Sequence, residues 1–211
     1  MKPSPPSKVR EMYDSSADDY AQMMDADIES TIYRELLGRL SARIDNVAGA
    51  LVDTSCGSGH MLDLYHQKVD PSRQLLGVDL SERMVEIATK KLANNADIVV
   101  GDMRRLDSIA TDSVSAIISF FALHHLSAVD SKTALNEWHR ILRDGGQLLI
   151  ASWHGEGEID FGGEFDIKAS LIRQEDLMGW VQSAGFEILA CTVAPVDGIP
   201  MDAAYLEGEK K

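Results

Sequence analysis

Residues 51–65 read LVDTSCGSGHMLDLY. Leu51 and Val52 run into Asp53. Four small residues, Ser55, Gly57, Ser58 and Gly59, then crowd into five positions, and helical spacing begins. A strand, a glycine-rich turn and a helix bring backbone close to a ligand. The glycines permit the tight turn, and the start of the helix offers unpaired N–H groups. The stretch predicts a βα unit of an open α/β sheet, with a ligand at the carboxyl end of its strand.

The same alternation continues on both sides. ALVDT, QLLGVDL, DIVVGD, VSAIISFF and GQLLIASW are short apolar runs, mostly rich in branched residues and bounded by turn residues. Near-continuous apolar strands imply a parallel sheet covered on both faces. Between them, SERMVEIATKKLAN offers Ser81 as an N-cap and places Met84, Ile87, Ala88 and Leu92 on one stripe. SKTALNEWHRILRDGG groups Leu135, Trp138, Ile141 and Leu142 and stops at Gly145–Gly146. QEDLMGWVQSAGF ends at Gly185, and DDYAQMMDADI and STIYRELLGRLSARI give two helices before the first strand. The expected fold is α/β, doubly wound, with helices on both faces. Residues 1–10 read as a flexible tail and 11–211 as a single domain. GEGEIDFGGEFD, residues 155–166, reads as a mobile loop.

Composition narrows the function. A chain of 211 residues buries enough surface to fold without a metal or disulfide. The net charge of −14 weighs against nucleic acid, which needs clustered Lys and Arg. Cys56 and Cys191 form no disulfide or zinc pattern and read as free thiols of a reducing compartment. MKPSPPSKVR lacks an apolar signal core, and AIISFFAL is far too short to span a membrane. The expectations are a cytoplasmic location, no membrane, a monomer or homodimer, and no metal, because no His/Asp cluster has ligand spacing.

Four motifs carry the chemistry. Gly57 and Gly59 form G-x-G, but Leu62 stands where a dinucleotide fingerprint has its third glycine. Asp79 follows Gly59 by twenty residues at the end of the second strand. A carboxylate there accepts two hydrogen bonds from a ribose diol and repels a 2′-phosphate. Asp102 follows the third strand, SFFALHHL spans the end of the fourth, and RILRDGG precedes the fifth. In this order and spacing they resemble the class I S-adenosylmethionine-dependent methyltransferases, over Tyr13 to Glu207. The closest flavour is the small-molecule group that includes ubiquinone/menaquinone C-methyltransferases.

That resemblance implies a Rossmann-like, mostly parallel seven-stranded sheet. It implies S-adenosylmethionine as cofactor and methyl transfer to a small-molecule acceptor by in-line displacement, leaving S-adenosylhomocysteine. Independently, the length of the chain leaves little room for a separate substrate domain, so the helices in residues 11–45 and the 155–166 loop are expected to form the lid. Asp53, Ser55, Gly57 and Gly59 would lie beside the methionine part, and Asp79 would hold the ribose. Leu80 and Met84 would line the adenine pocket, with Asp102 and the Met103 N–H reading the adenine edge. Ser119 and Phe120 would approach the sulfonium, and Tyr13 and Tyr20 would close over it. The family usually has Gly where Ser55 stands, which implies an altered turn or a hydroxyl that contacts the ligand. His124 and His125 point different ways as neighbours, so at most one faces the acceptor. His124 is the candidate base or orienting group, with His154 after the fifth strand as a second. The rival readings are a nucleotide-binding oxidoreductase and a non-catalytic S-adenosylmethionine-binding protein.

Overall fold

The computed structural model describes residues 3–27, 31–160, 167–196 and 198–211, without the side chains of 26, 27 and 160. Two helices come first, α1 (Pro6–Asp27) and α2 (Thr31–Arg43). The alternating part follows as β1 (Leu51–Asp53), α3 (His60–Lys68), β2 (Leu75–Asp79), α4 (Glu82–Leu92), β3 (Asp97–Val100) and β4 (Val114–Phe120). A 3₁₀ turn over Leu123–His125 leads to α5 (Ala128–Ile141) and β5 (Leu142–Trp153). The remaining elements are β6 (Glu158–Asp160), β7 (Lys168–Ser170), α6 (Gln174–Ser183), β8 (Phe186–Val196) and β9 (Ile199–Lys210).

Seven strands form one sheet in the order β3-β2-β1-β4-β5-β9-β8. All neighbouring pairs from β3 to β5 are parallel, and β9 runs antiparallel to both β5 and β8. The chain winds outward from β1 in one direction and from β4 in the other. The carboxyl ends of these adjacent strands mark the point where such sheets leave a crevice.

Strand alternation splits the core into two layers. Leu51, Ile118, Leu149 and Tyr205 face α2 and α3, where they meet Leu36, Leu37, Leu62 and Tyr65. Val52, Ile117, Leu148 and Leu206 face α5 and α6, packing on Leu135, Trp138, Leu177 and Val181. Ser81 caps α4 by accepting the Met84 N–H at 3.0 Å, and Met84, Ala88 and Leu92 are its buried stripe.

Several expectations need correction. Helix α1 begins at Pro6, inside the expected tail; proline suits a first helical turn, where its missing N–H costs nothing. Helix α5 ends at Ile141, not at the double glycine, because Leu142 is already extended (φ −67°, ψ 143°) and pairs with Val114. Part of the expected 155–166 loop is β6, which pairs antiparallel with β7 as a separate small sheet. Residues 161–166 of that loop, and Ile28 and Ser30 of the two expected early helices, lie outside the described residues. Strand β3 is not covered on both faces, since Val99 and Val100 are exposed on this edge strand.

Candidate functional site

The turn after β1 is pinned from both sides. Thr54 N–H donates to the Ile118 carbonyl on β4 (3.1 Å), and Cys56 N–H donates to the Val78 carbonyl on β2 (3.0 Å). Gly57 then points its N–H at Asp79 Oδ2 (2.8 Å), while Asp79 Oδ1 accepts the Ser81 N–H (2.9 Å). Gly57 has φ +50° and Gly59 φ +82°, a region that side chains rarely enter. Ser55 is not among the residues with positive φ, so its departure from glycine stores no strain. Its Oγ lies 3.3 Å from Ser119 Oγ on β4.

Above this turn lies a cavity with about 100 Å³ of enclosed space. Its floor holds Thr54, Ser55, Gly57, Asp79, Leu80 and Met84, and its far wall Asp102, Met103 and Arg104. Phe120, Phe121 and His125 close the side beyond β4. The roof is one stripe of α1, formed by Pro6, Val9, Tyr13 and Tyr20. Asp14 holds that helix down by accepting from Ser81 Oγ (2.6 Å) and Arg83 N–H (3.3 Å), and Asp18 pairs with Arg83.

Burial sets the charge states. It raises the carboxyl of Asp79 against the opposing N–H bonds from Ser81 and Gly57. Asp53, 2% exposed, is pushed up to about 7 by burial, although its Oδ1 accepts the Ser55 N–H. The Tyr13 and Tyr20 hydroxyls are raised by burial, and His125 is lowered to about 4 by the same cause. Burial also pushes Asp102 up, but hydrogen bonds from Arg104 outweigh it and leave the carboxyl below its ordinary value.

Ten of the thirteen expected ligand residues line the cavity: Tyr13, Tyr20, Ser55, Gly57, Asp79, Leu80, Met84, Asp102, Met103 and Phe120. Three do not. Asp53 sits beneath the turn, and Ser119 is buried behind Ser55. Gly59 is a packing residue: a Cβ there would lie 2.9 Å from Leu92 Cδ1 and 3.1 Å from Ala88 Cβ, where α3 crosses α4. Asp102 also carries a bidentate ion pair from Arg104 (3.0 and 2.6 Å).

The histidine expectations also change. His124 is 2% exposed and is not among the residues that line the cavity, whereas its neighbour His125 is. His154 lines a separate hollow with Leu171, Pro195 and Met201. Phe121 was missed as well. It has φ +51° and lies against Trp153 with ring centroids 4.4 Å apart. A non-glycine residue held in that region at the end of a strand is the kind of strain that collects at binding sites.

A family profile described as "Methyltransferase domain" matches residues 51–146, from the first strand to the double glycine. That segment resembles a methyltransferase domain. It is 26% identical over 129 residues to the malonyl-[acyl-carrier protein] O-methyltransferase of Priestia megaterium, covering 61% of this chain and 45% of that one. Over 157 residues it is 26% identical to the demethylmenaquinone methyltransferase of Symbiobacterium thermophilum, covering 70% and 61%. The chain thus spans about half to three-fifths of these relatives. The fold matches the crystal structure of a Burkholderia thailandensis 1,6-didemethyltoxoflavin-N1-methyltransferase bound to 1,6-didemethyltoxoflavin and S-adenosylhomocysteine. The TM-score is 0.77 at 15% identity, over 99% of this chain and 91% of that one. The matched segment supplies the floor of the cavity, and α1 supplies the roof.

Proposed function

We propose that the protein is an S-adenosylmethionine-dependent methyltransferase with a small-molecule acceptor. The observation that carries this reading is Asp79, a carboxylate at the carboxyl end of β2 that faces a roofed cavity beside the Gly57 backbone. It suits a ribose diol. The residues present fit the rest of the cofactor. Leu80, Met84 and Met103 offer apolar walls for an adenine, with the Met103 backbone N–H available to its edge. Tyr13, Tyr20, Phe120 and Phe121 offer aromatic faces and edges for a cation. When bound, the cofactor supplies a methyl group already activated on a sulfonium. The chain's own work is to orient the acceptor and keep water out.

The named relatives differ in acceptor, so the acceptor class is read from the cavity. A helix clamped over the mouth favours a small molecule over a folded RNA. Arg104 is the cation at the wall, and it is neutralised by Asp102 and Asp130. The free cysteines, Cys56 and Cys191, are in keeping with a cytoplasmic setting.

Calorimetry with S-adenosylmethionine and S-adenosylhomocysteine tests the cofactor. Wild type should bind with micromolar affinity, and Asp79→Asn should lose about 10- to 100-fold, the range for a hydrogen bond to a charged group. A panel of small acceptors, scored by release of S-adenosylhomocysteine, tests the rest. Methylation of RNA or protein, with none of the small molecules, would overturn it.

A further inference from the structure

His125 ends the 3₁₀ turn after β4 and lines the side of the cavity. Tyr13 comes down from α1 on the opposite side. Its Oη lies 3.0 Å from His125 Nε2, and the two rings meet edge-on with centroids 5.6 Å apart. Tyr20 holds Tyr13 from behind, edge-on at 5.7 Å. A roof residue and a side-wall residue thus meet through one hydrogen bond, inside the space that holds Asp79.

The pair is kept uncharged. Burial raises Tyr13, with Tyr20 and Asp79 adding to the effect, so the phenol keeps its proton. Burial lowers His125 to about 4, so the imidazole is neutral at physiological pH. His124 lies beside it on the same turn, with ring centroids 4.2 Å apart. A neutral imidazole with a hydroxyl on Nε2 is poised to trade that donor for another.

We propose that His125 Nε2 takes the proton from a hydroxyl-bearing methyl acceptor, with Tyr13 as the positioning residue that holds the imidazole with Nε2 unprotonated. This rests on the methyltransferase reading above. The acceptor O–H replaces the Tyr13 hydroxyl as the donor to Nε2. The O–H bond breaks with its electron pair left on oxygen, and an oxygen lone pair forms the new bond to the methyl carbon. The carbon–sulfur pair leaves with sulfur, and the proton goes to Nε2. His125 becomes positive as the sulfonium loses its charge, so the buried site carries the same net charge before and after. Water takes the proton from His125 once the site opens. A carboxylate acceptor would bring no proton and would use neither residue.

Two measurements test this. Nitrogen-15 spectra of the His125 ring, on ligand-free and S-adenosylhomocysteine-loaded protein, should show an unprotonated Nε2 and a protonated Nδ1. Tyr13→Phe should shift the ring toward a tautomer mixture. A protonated Nε2 in wild type overturns the proposal. With a panel of phenols, enols and carboxylates, His125→Gln keeps a hydrogen-bonding partner for Tyr13 but cannot take a proton. It should lower kcat roughly 100- to 10,000-fold, with S-adenosylhomocysteine affinity within about threefold of wild type. An unchanged kcat, or turnover confined to carboxylates, also overturns it. Failure of the parent reading shows separately, as absence of S-adenosylhomocysteine binding in a folded protein whose His125 spectrum is as expected.

Discussion

Asp53 and Asp79 end neighbouring strands, and burial raises the carboxyls of both. For Asp53 the folded value of about 7 stands above the unfolded value, which is roughly 3.9. Between these values the folded protein binds more protons than the unfolded chain, so this carboxyl lowers stability as pH rises through the window. Asp53→Asn keeps an oxygen for the Ser55 N–H and removes the titration. Its Tm should match or trail wild type near pH 4 and exceed it at pH 8, by about 2–4 °C for each kcal/mol regained. His60 has the opposite sign. Burial lowers it to about 4, so its contribution is complete above an unfolded value near 6.5 and is lost as pH falls toward 4. Melting curves across pH 4–8 separate the two. Gly59→Ala should cost about 1–3 kcal/mol, because the new Cβ meets Leu92 and Ala88 at a positive φ. Chemical denaturation would read that loss. Sequence alone marked Gly57 and Asp79 as residues at the ends of neighbouring strands, but not the hydrogen bond that joins them. It could not separate Gly59, which packs a helix, from Gly57, which lines a cavity. Nor could it rank His124 against His125, because a short 3₁₀ turn has no period to read.

Helix α1 shows how far an element can be read. Tyr13 and Tyr20 stood out as residues that close a site, but Pro6 and Val9 extend the same stripe into a stretch read as tail. Polar residues dominate α1, so its apolar face is a narrow seam that needs the cavity rim to explain it. Its hold on α4 is electrostatic, through Asp14, Asp18 and Asp25 to Ser81, Arg83 and Lys91. Asp14→Ala should therefore speed amide exchange across α1 by about tenfold, with α5 unchanged. Equal protection in the variant would show that the apolar seam alone holds the roof. The five parallel strands were legible because each is a dense apolar run. Strands β8 and β9 were not, because their residues are half-exposed in β8 and interrupted by Pro200, Asp202, Glu207 and Glu209 in β9. Glu207 is buried in β9 only because Arg39 and Arg43 of α2 reach it. That pairing joins positions more than 160 residues apart, which no local pattern reveals.

At the scale of the molecule, a net charge of −14 surrounds a cavity whose cation at the wall is already paired. Transfer RNA should show no mobility shift with micromolar protein at physiological salt. A clear shift would reopen a nucleic-acid acceptor.

The place of β9 has a further consequence for how the protein is made. Strand β5 ends at Trp153, but the strand that seals its outer edge is Ile199–Lys210. At a synthesis rate of 5–20 residues per second, roughly three to ten seconds separate the two. During that interval the nascent chain presents an open row of backbone donors and acceptors along Gln147–Trp153, flanked by Leu148, Leu149 and Ile150. An uncapped apolar edge of this kind invites pairing with another chain. Ribosomes stalled within β8 should release a product that aggregates, and the same chain carried through β9 should not.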